Sequence, residues 1–428
     1  MHFSVTTPFK DLCLMTGLLC AGCASVPSHE QAASLTPAPS SPLSELRTTI
    51  PIVAWWGIPD AEATAARYQE MAEAGFTWAM PQGGDPVVNR EHLKHAAAFG
   101  IKLMIQDGRL ATAPAAVIED YKNFSGLGAY VLQDEPNAKD FPALAKSVAT
   151  LHKLDPAHFP YINLLPTYAS PEQLGTPTYP RYLAEFIAQV KPDFVSYDHY
   201  TITTGSDRPG PDYFLNLKLV RDAAVKAELP FWAFVRACTF DAFPTPTDGG
   251  LRFTAFCSLA YGARGIEYFT YWTPTGREEA GDKIAYKSAI IDRHGQRTAT
   301  FALVKKLNRE ITAWAPTLTT LRPFGVCHSD PAYEGTEPLG SGKLISALTG
   351  SPVLVGFFRD PADTTWAMVV NSSFCDPAKT KIAFDQKVSS VFALDKNSGQ
   401  AQSVILDKAK TMTIELAPGD AVLLKLEQ

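Results

Sequence analysis

The 428-residue sequence predicts an α/β chain: a (β/α)8 TIM barrel followed by a smaller C-terminal antiparallel β-sandwich. Three observations predict it. Short apolar runs alternate eight times with amphipathic stretches between Pro51 and Trp314, the pattern of parallel strands each returned by a helix. Glycines stand at helix-to-strand junctions. Beyond Pro323 the runs shorten and often alternate singly between turn residues, as antiparallel strands require.

The eight runs are Ile52–Ile58, Phe76–Pro81, Ile101–Gln106, Leu127–Leu132, Pro160–Leu165, Phe194–Tyr200, Phe231–Ala237 and Ile266–Trp272. Helical patterns follow them at Ala61–Ala74, Arg90–Phe99, Ala115–Phe124, Phe141–Leu154, Tyr179–Val190, Tyr213–Ala227, Arg252–Tyr261 and Thr298–Trp314. Gly75, Gly100 and Gly126 each close a helix just ahead of a strand. An open doubly wound sheet also alternates this way, but the glycine-rich phosphate turn expected after its first strand is absent. The later runs are Val353–Phe358, Trp366–Val370, Val388–Leu394, Met412–Leu416 and Ala421–Leu426, separated by turns such as Lys396-Asn397-Ser398-Gly399.

The expected organisation is a signal segment at 1–23, a flexible linker at 24–48, the barrel at 49–318 and the β-sandwich at 319–428. Lys10 precedes the apolar run Leu12–Ala21, which is too short to span a bilayer. The run ends Leu19-Cys20-Ala21-Gly22-Cys23, which resembles a bacterial lipoprotein signal, with Cys20 where a leucine is usual. The resemblance implies lipidation of Cys23 and residence in the cell envelope, with the lipid as the only membrane contact. A plain secretory signal is the alternative. The Ser-, Pro- and Ala-rich stretch after Cys23 suits a tether.

A net charge of -6 leaves no basic footprint for nucleic acid. Cys238, Cys257, Cys327 and Cys375 lack metal-ligand spacing, and neither metal nor cofactor is expected. Cys238 and Cys257 sit in apolar contexts as buried thiols, while an oxidising compartment would allow a Cys327–Cys375 disulfide.

In a (β/α)8 barrel the active site lies at the C-terminal strand ends. Those ends carry Trp55 and Trp56; Gln82; Asp107; Asp134 and Glu135; Asn163; Tyr197, Asp198, His199 and Tyr200; Arg236; and Glu267, Tyr271 and Trp272. Polar and aromatic groups synchronised with strand ends point to an enzyme or a sugar-binding site. Aromatic faces suit sugar rings, although core packing explains any single ring equally well. Adjacent carboxylates at a strand end also admit a salt bridge or a helix cap. His199 reads as a hydrogen-bonded residue rather than a metal ligand, since no second histidine stands at ligand spacing. Arg236 on an apolar strand calls for a site carboxylate or an anionic substrate.

Asp134-Glu135-Pro136 resembles the Asn-Glu-Pro motif of clan A retaining glycoside hydrolases, with Asp in place of Asn. Asp198-His199-Tyr200 loosely resembles the His/Tyr pair that such enzymes place beside their nucleophile. The segment Leu416-Ala417-Pro418-Gly419-Asp420 resembles the turn into the last strand of their terminal β domains. The resemblance implies that Glu135 is the general acid/base. It also implies a glutamate nucleophile ending strand seven, and none is there: the strand reads Phe231-Trp232-Ala233-Phe234-Val235-Arg236. Asp198, Glu267 and Asp241 are the candidates for the second carboxylate, Asp198 first. The expectation is an exported glycosidase acting on a poly- or oligosaccharide, with Trp55, Trp56, Gln82, Asp107, Asp134, Asn163, Tyr197, His199, Tyr200, Arg236, Tyr271 and Trp272 around the sugar. The alternatives are a surface lipoprotein that binds glycans on a degenerate barrel without cleaving them, and another barrel hydrolase or lyase.

Overall fold

The computed structural model describes residues 46, 48–275, 284–331, 333–340 and 343–428. The expected signal segment with Cys23, and all but two residues of the expected linker, lie outside the described residues. Among the described residues no helix is long and apolar enough to cross a membrane.

Eight parallel strands close into a barrel in sequence order. They are β1 (Ile52–Trp55), β2 (Trp78–Ala79), β3 (Lys102–Ile105), β4 (Leu127–Asp134), β5 (Phe159–Leu164), β6 (Val195–Tyr197), β7 (Phe231–Arg236) and β8 (Gly265–Phe269). The returning helices are α1 (Ala65–Glu73), α2 (Pro86–Ala98), α3 (Pro114–Tyr121), α4 (Phe141–Leu154), α5 (Tyr179–Val190), α6 (Tyr213–Lys226), α7 (Asp248–Tyr261) and α8 (Ala299–Leu318). Most strands stop short of their apolar runs, because the last residues of each run leave the ladder and build the loops above it. β4 does the opposite. A bulge between Val131 and Gln133 carries it on to Asp134, which pairs with Asn163 of β5.

Local sequence explains the helix ends. Asp85 caps α2 by accepting from the amides of Val87 and Val88, with Pro86 in the first turn. Gly75 (φ 81°) and Gly100 (φ 71°) take the left-handed conformation expected of helix closers. Gly126 plays another part: a Cβ there would sit 2.4 Å from the Leu93 carbonyl oxygen, so the position needs room rather than a positive φ.

Aromatic side chains close the lower barrel interior. Trp232 stacks on Phe194 (4.2 Å between centroids, 27°), and Trp78 meets Trp232 edge-on. Glycines make the space: a Cβ on Gly128 would lie 2.1 Å from the Trp78 ring, and one on Gly265 2.5 Å from Trp232. The floor is therefore filled with side chains.

Two antiparallel sheets follow α8. The first runs β9 (Arg322–His328), β11 (Val353–Arg359), β12 (Thr365–Asn371), β17 (Ala421–Glu427), β14 (Ser390–Leu394), β15 (Ala401–Val404). The second is β10 (Ile345–Gly350), β13 (Ala378–Phe384) and β16 (Thr411–Leu416). Val355 and Phe357 of the first sheet share one core with Ile382 and Ile414 of the second. Strands β9, β10, β13 and β15 escape a search for apolar runs because their residues are largely polar on one side: β13 exposes Lys379 and Lys381 between buried neighbours. Cys327 is buried and Cys375 exposed, and both are free thiols, so the disulfide that the sequence allowed is not formed.

Helix α7 is buried along nearly its whole length and joins the barrel to the β domain. Arg252 on α7 is 3% exposed and binds Glu310 of α8 at 2.6 Å and Asp420 at 2.5 Å. Lys396 also pairs with Asp420. Burial pushes the Asp420 carboxyl up, but Lys396 and Arg252 outweigh it and hold the group below its usual range.

Candidate active site

Register places the polar residues. On β5, β6 and β8 the inward positions read Tyr161 and Asn163, Ser196 and then Asp198, and Glu267. Side chains alternate along a strand, so Tyr197, between Ser196 and Asp198, faces the helices and is buried there.

Asn163 organises the tip. Its backbone carbonyl accepts from the Glu135 amide (2.8 Å). Its side-chain Nδ2 donates to Asp134 Oδ1 (3.1 Å) and to Asp198 Oδ1 (3.0 Å). One residue thus holds the ends of β4 and β6 together and gathers three acidic residues. Glu135 is half-buried with φ 46°, a left-handed conformation that costs roughly 1–2 kcal/mol in a non-glycine residue. Trp56, Lys191, Glu228, Asp241, Asp363 and Lys410 share it, so the conformation alone does not mark the site.

Asp198 is 8% exposed. Burial, then the charges of Glu135 and Asp134, push its carboxyl well above the usual range, against the pull of the Asn163 amide. Among the described residues, no Lys or Arg forms an ion pair with Asp198 or Glu267. Glu267 lies one layer lower, fully buried. It accepts from Tyr161 Oη and contacts Ser196 Oγ, each at 2.6 Å. Burial raises its pKa to about 8.

His199 is neutral. Burial lowers its pKa. Asn216 Nδ2 donates to Tyr179 Oη, which turns Oδ1 towards His199, so the imidazole Nδ1–H donates there at 2.9 Å. Tyr168 sets an exposed ring against His199 (5.0 Å, 66°). Beside this wall, a cavity of 560 Å³ opens between the β6 and β7 loops and the β domain, lined in part by His199, Tyr200, Thr201, Arg236, Thr247 and Asp248. It flanks the carboxylates without including them.

Several residues expected around a sugar have protein partners. Tyr271 and Trp272 pack in the outer core, Tyr271 against Phe76 and Trp272 beneath Arg67. Strand β8 ends at Phe269, two residues before them. Asp107 caps a short turn and binds Arg109 and Tyr121. Gln82 ties down the Gly57 carbonyl. Arg236, expected to meet a carboxylate, instead donates from Nη1 to the carbonyls of Cys238 (2.5 Å) and Pro244 (2.6 Å), and among the described residues no acid pairs with it. Asp241 is exposed on a loop, near the Ala285 amide (3.4 Å). Trp55 is buried at the end of β1 against Trp56, Phe234 and Phe269, its indole N–H lacking an acceptor among the described residues. Tyr161 and Ser196 were missed. Their signal was alternation: polar inward positions at every second residue of apolar strands. Among the described residues no three His, Cys, Asp or Glu side chains converge as metal ligands would.

The glycoside hydrolase family 42 model, described as beta-galactosidase, matches residues 147–314. That segment includes Asn163, Asp198 and Glu267 and begins after Glu135. No curated protein matches. A candidate alpha-galactosidase from Bacteroides fragilis is similar in structure, with TM-score 0.52 and 8% identity, over 89% of this chain and 80% of its own. Xylanase 10B from Thermotoga maritima gives TM-score 0.42 and 10% identity, over 63% and 97%. A glucosidase from Croceicoccus marinus gives 0.44 and 9%, over 90% and 96%. At 8% identity the Bacteroides likeness is one of fold. The family match on the barrel, together with a closed eight-stranded barrel, supports a glycosidase.

Proposed function

We propose that the protein is an exported glycoside hydrolase of oligo- or polysaccharides, with Glu135 as general acid/base and Asp198 as the second carboxylate. One observation carries the reading: Asn163 binds the Glu135 amide and both the Asp134 and Asp198 carboxylates at the upper end of the barrel. Glycoside cleavage needs a proton for the departing oxygen and a second carboxylate at the anomeric carbon, either attacking it or activating water. Glu267 is fully buried one layer lower and Asp241 is exposed on a loop, which favours Asp198. The flanking cavity, with its hydroxyls and Asp248, suits neutral sugar residues continuing from the cleaved bond.

The test starts with aryl β-galactosides, the class named by the family match, and extends to other β- and α-glycosides. Glu135→Gln should abolish cleavage of poor leaving groups while leaving binding intact. Wild-type protein that binds a glycan from the panel and cleaves none sinks the reading.

A second assignment of roles has its own support. Burial and two acidic neighbours favour the protonated form of Asp198, the form a general acid takes. Activated aryl glycosides separate the two. The variant lacking the acid keeps its activity on them, and the variant lacking the nucleophile does not. Export through 1–23 with lipid on Cys23 predicts fatty-acid labelling that Cys23→Ser removes.

A further inference from the structure

Below the carboxylates runs a chain of buried polar groups that hydrolysis does not itself require. Ser196 Oγ lies 2.9 Å from Asn163 Oδ1 and 2.6 Å from Glu267 Oε1. Tyr161 Oη lies 2.6 Å from Glu267 Oε2. A hydroxyl carries one proton. Asn163 must present Nδ2 to Asp134 and Asp198, because turning the amide would set its oxygen against the Asp134 carboxylate. Its Oδ1 therefore faces Ser196 and can only accept, so the Ser196 proton goes to Asn163. Ser196 Oγ is then the acceptor towards Glu267, and the short contact between them requires a proton on Glu267 Oε1.

We propose that Glu267 is a positioning residue kept as a neutral acid: Glu267 donates to Ser196, Ser196 donates to Asn163, and the fixed Asn163 amide aligns Asp134 with Asp198. The assignment rests on the reading of Glu135 and Asp198 as the reacting pair, and it removes Glu267 from the candidates for the second carboxylate. The surroundings agree. Val53 of β1 and Phe234 of β7 flank Glu267 in the ladder. The inward faces of β2 and β3 supply Trp78, Met80 and Met104. The titratable groups facing it are Tyr161 from β5 and, farther up, Asp134 from β4. Burial and the Asp134 charge favour the proton, and Tyr161, which donates to Oε2, opposes them without prevailing.

Three measurements on the full chain test this. The infrared difference between wild type and Glu267→Gln near neutral pH should show the stretch of one protonated carboxyl; a difference spectrum without that band overturns the proposal. Stability gives a second readout. A carboxyl with a raised folded pKa favours the folded state below its unfolded pKa of 4.5 and loses that contribution as pH rises to about 8. Subtracting the pH profile of Glu267→Gln from that of wild type should isolate this slope, and superimposable profiles contradict a buried neutral acid. Activity gives the third. Glu267→Leu should lower kcat by about 10²-fold through misplacement, with KM nearly unchanged, and Glu267→Gln, whose amide can donate to Ser196, should restore it. A Glu267→Gln variant as inactive as Glu135→Gln and rescued by azide makes Glu267 the nucleophile. If no glycoside is cleaved by wild type, the infrared and stability results still decide the state of Glu267, and only the assigned reaction falls.

Discussion

Two groups of buried acids sit in different electrostatic settings. Between the domains, Glu310 and Asp420 surround Arg252, with Lys396 on Asp420. At the barrel mouth and below it, Asp198 and Glu267 have hydroxyl and amide partners but no cation among the described residues. Burial raises Asp420, Asp198 and Glu267 alike, and only Asp420 is drawn back below its usual range. Charge compensation holds two domains together. Its absence leaves carboxyls whose protonated form burial favours.

The sharpest way to break the comparison is to neutralise an acid in each group and compare activity with stability. Glu135→Gln should lower kcat/KM by about 10²–10⁴-fold, the usual worth of general acid–base catalysis, with little change in thermal midpoint. A variant that unfolds instead makes Glu135 a structural residue.

Arg252→Met should act in the opposite way. It leaves Glu310 and Asp420 facing each other in a buried interface, and breaking such a pair costs about 3–5 kcal/mol. Calorimetry should show the loss, while the folded fraction keeps wild-type KM. The pH profiles should also diverge. Asp420 has a lowered folded pKa, so its contribution is present above the ordinary value of 3.8 and lost as pH falls through the folded value. Asp420→Asn should flatten the acid limb of thermal stability without touching the loss at higher pH, which comes from the raised acids Asp198 and Glu267.

The barrel was legible because its strands are buried on both faces and read as unbroken apolar runs. Helices Phe141–Leu154 and Tyr179–Val190 keep the bounds that their periodicity predicts. The half-polar strands of the β domain gave no such signal. At the site, the end of β4 stood out because Asp134 and Glu135 interrupt an apolar run. Strand ends proved a coarser guide elsewhere. Tyr197, Tyr271 and Trp272 stand at the expected places in sequence, but strand alternation and the end of β8 at Phe269 turn them into the outer core. The partner of Arg236 was invisible for another reason: it is backbone carbonyl, and sequence carries no mark of which carbonyls converge.

The smallest expected effect separates the two groups most directly. Asp198→Asn keeps an acceptor for Asn163 Nδ2 and removes a carboxyl whose ionisation burial and two neighbouring acids oppose. The variant should be inactive on poor leaving groups yet more stable at neutral pH, by about 0.5–2 kcal/mol, as when a strained active site is relieved. The sign follows from the raised folded pKa. Below the unfolded value of 3.8 both states of wild type are protonated and neutral, so the variant gains nothing. As pH rises, the unfolded wild-type chain ionises while the folded site resists, and the advantage of the variant grows. Thermal midpoints of the pair at acidic and neutral pH measure that difference. A variant less stable at every pH would place Asp198 with Asp420, as an acid the fold requires, and the distinction between compensated and uncompensated acids would no longer mark the active site.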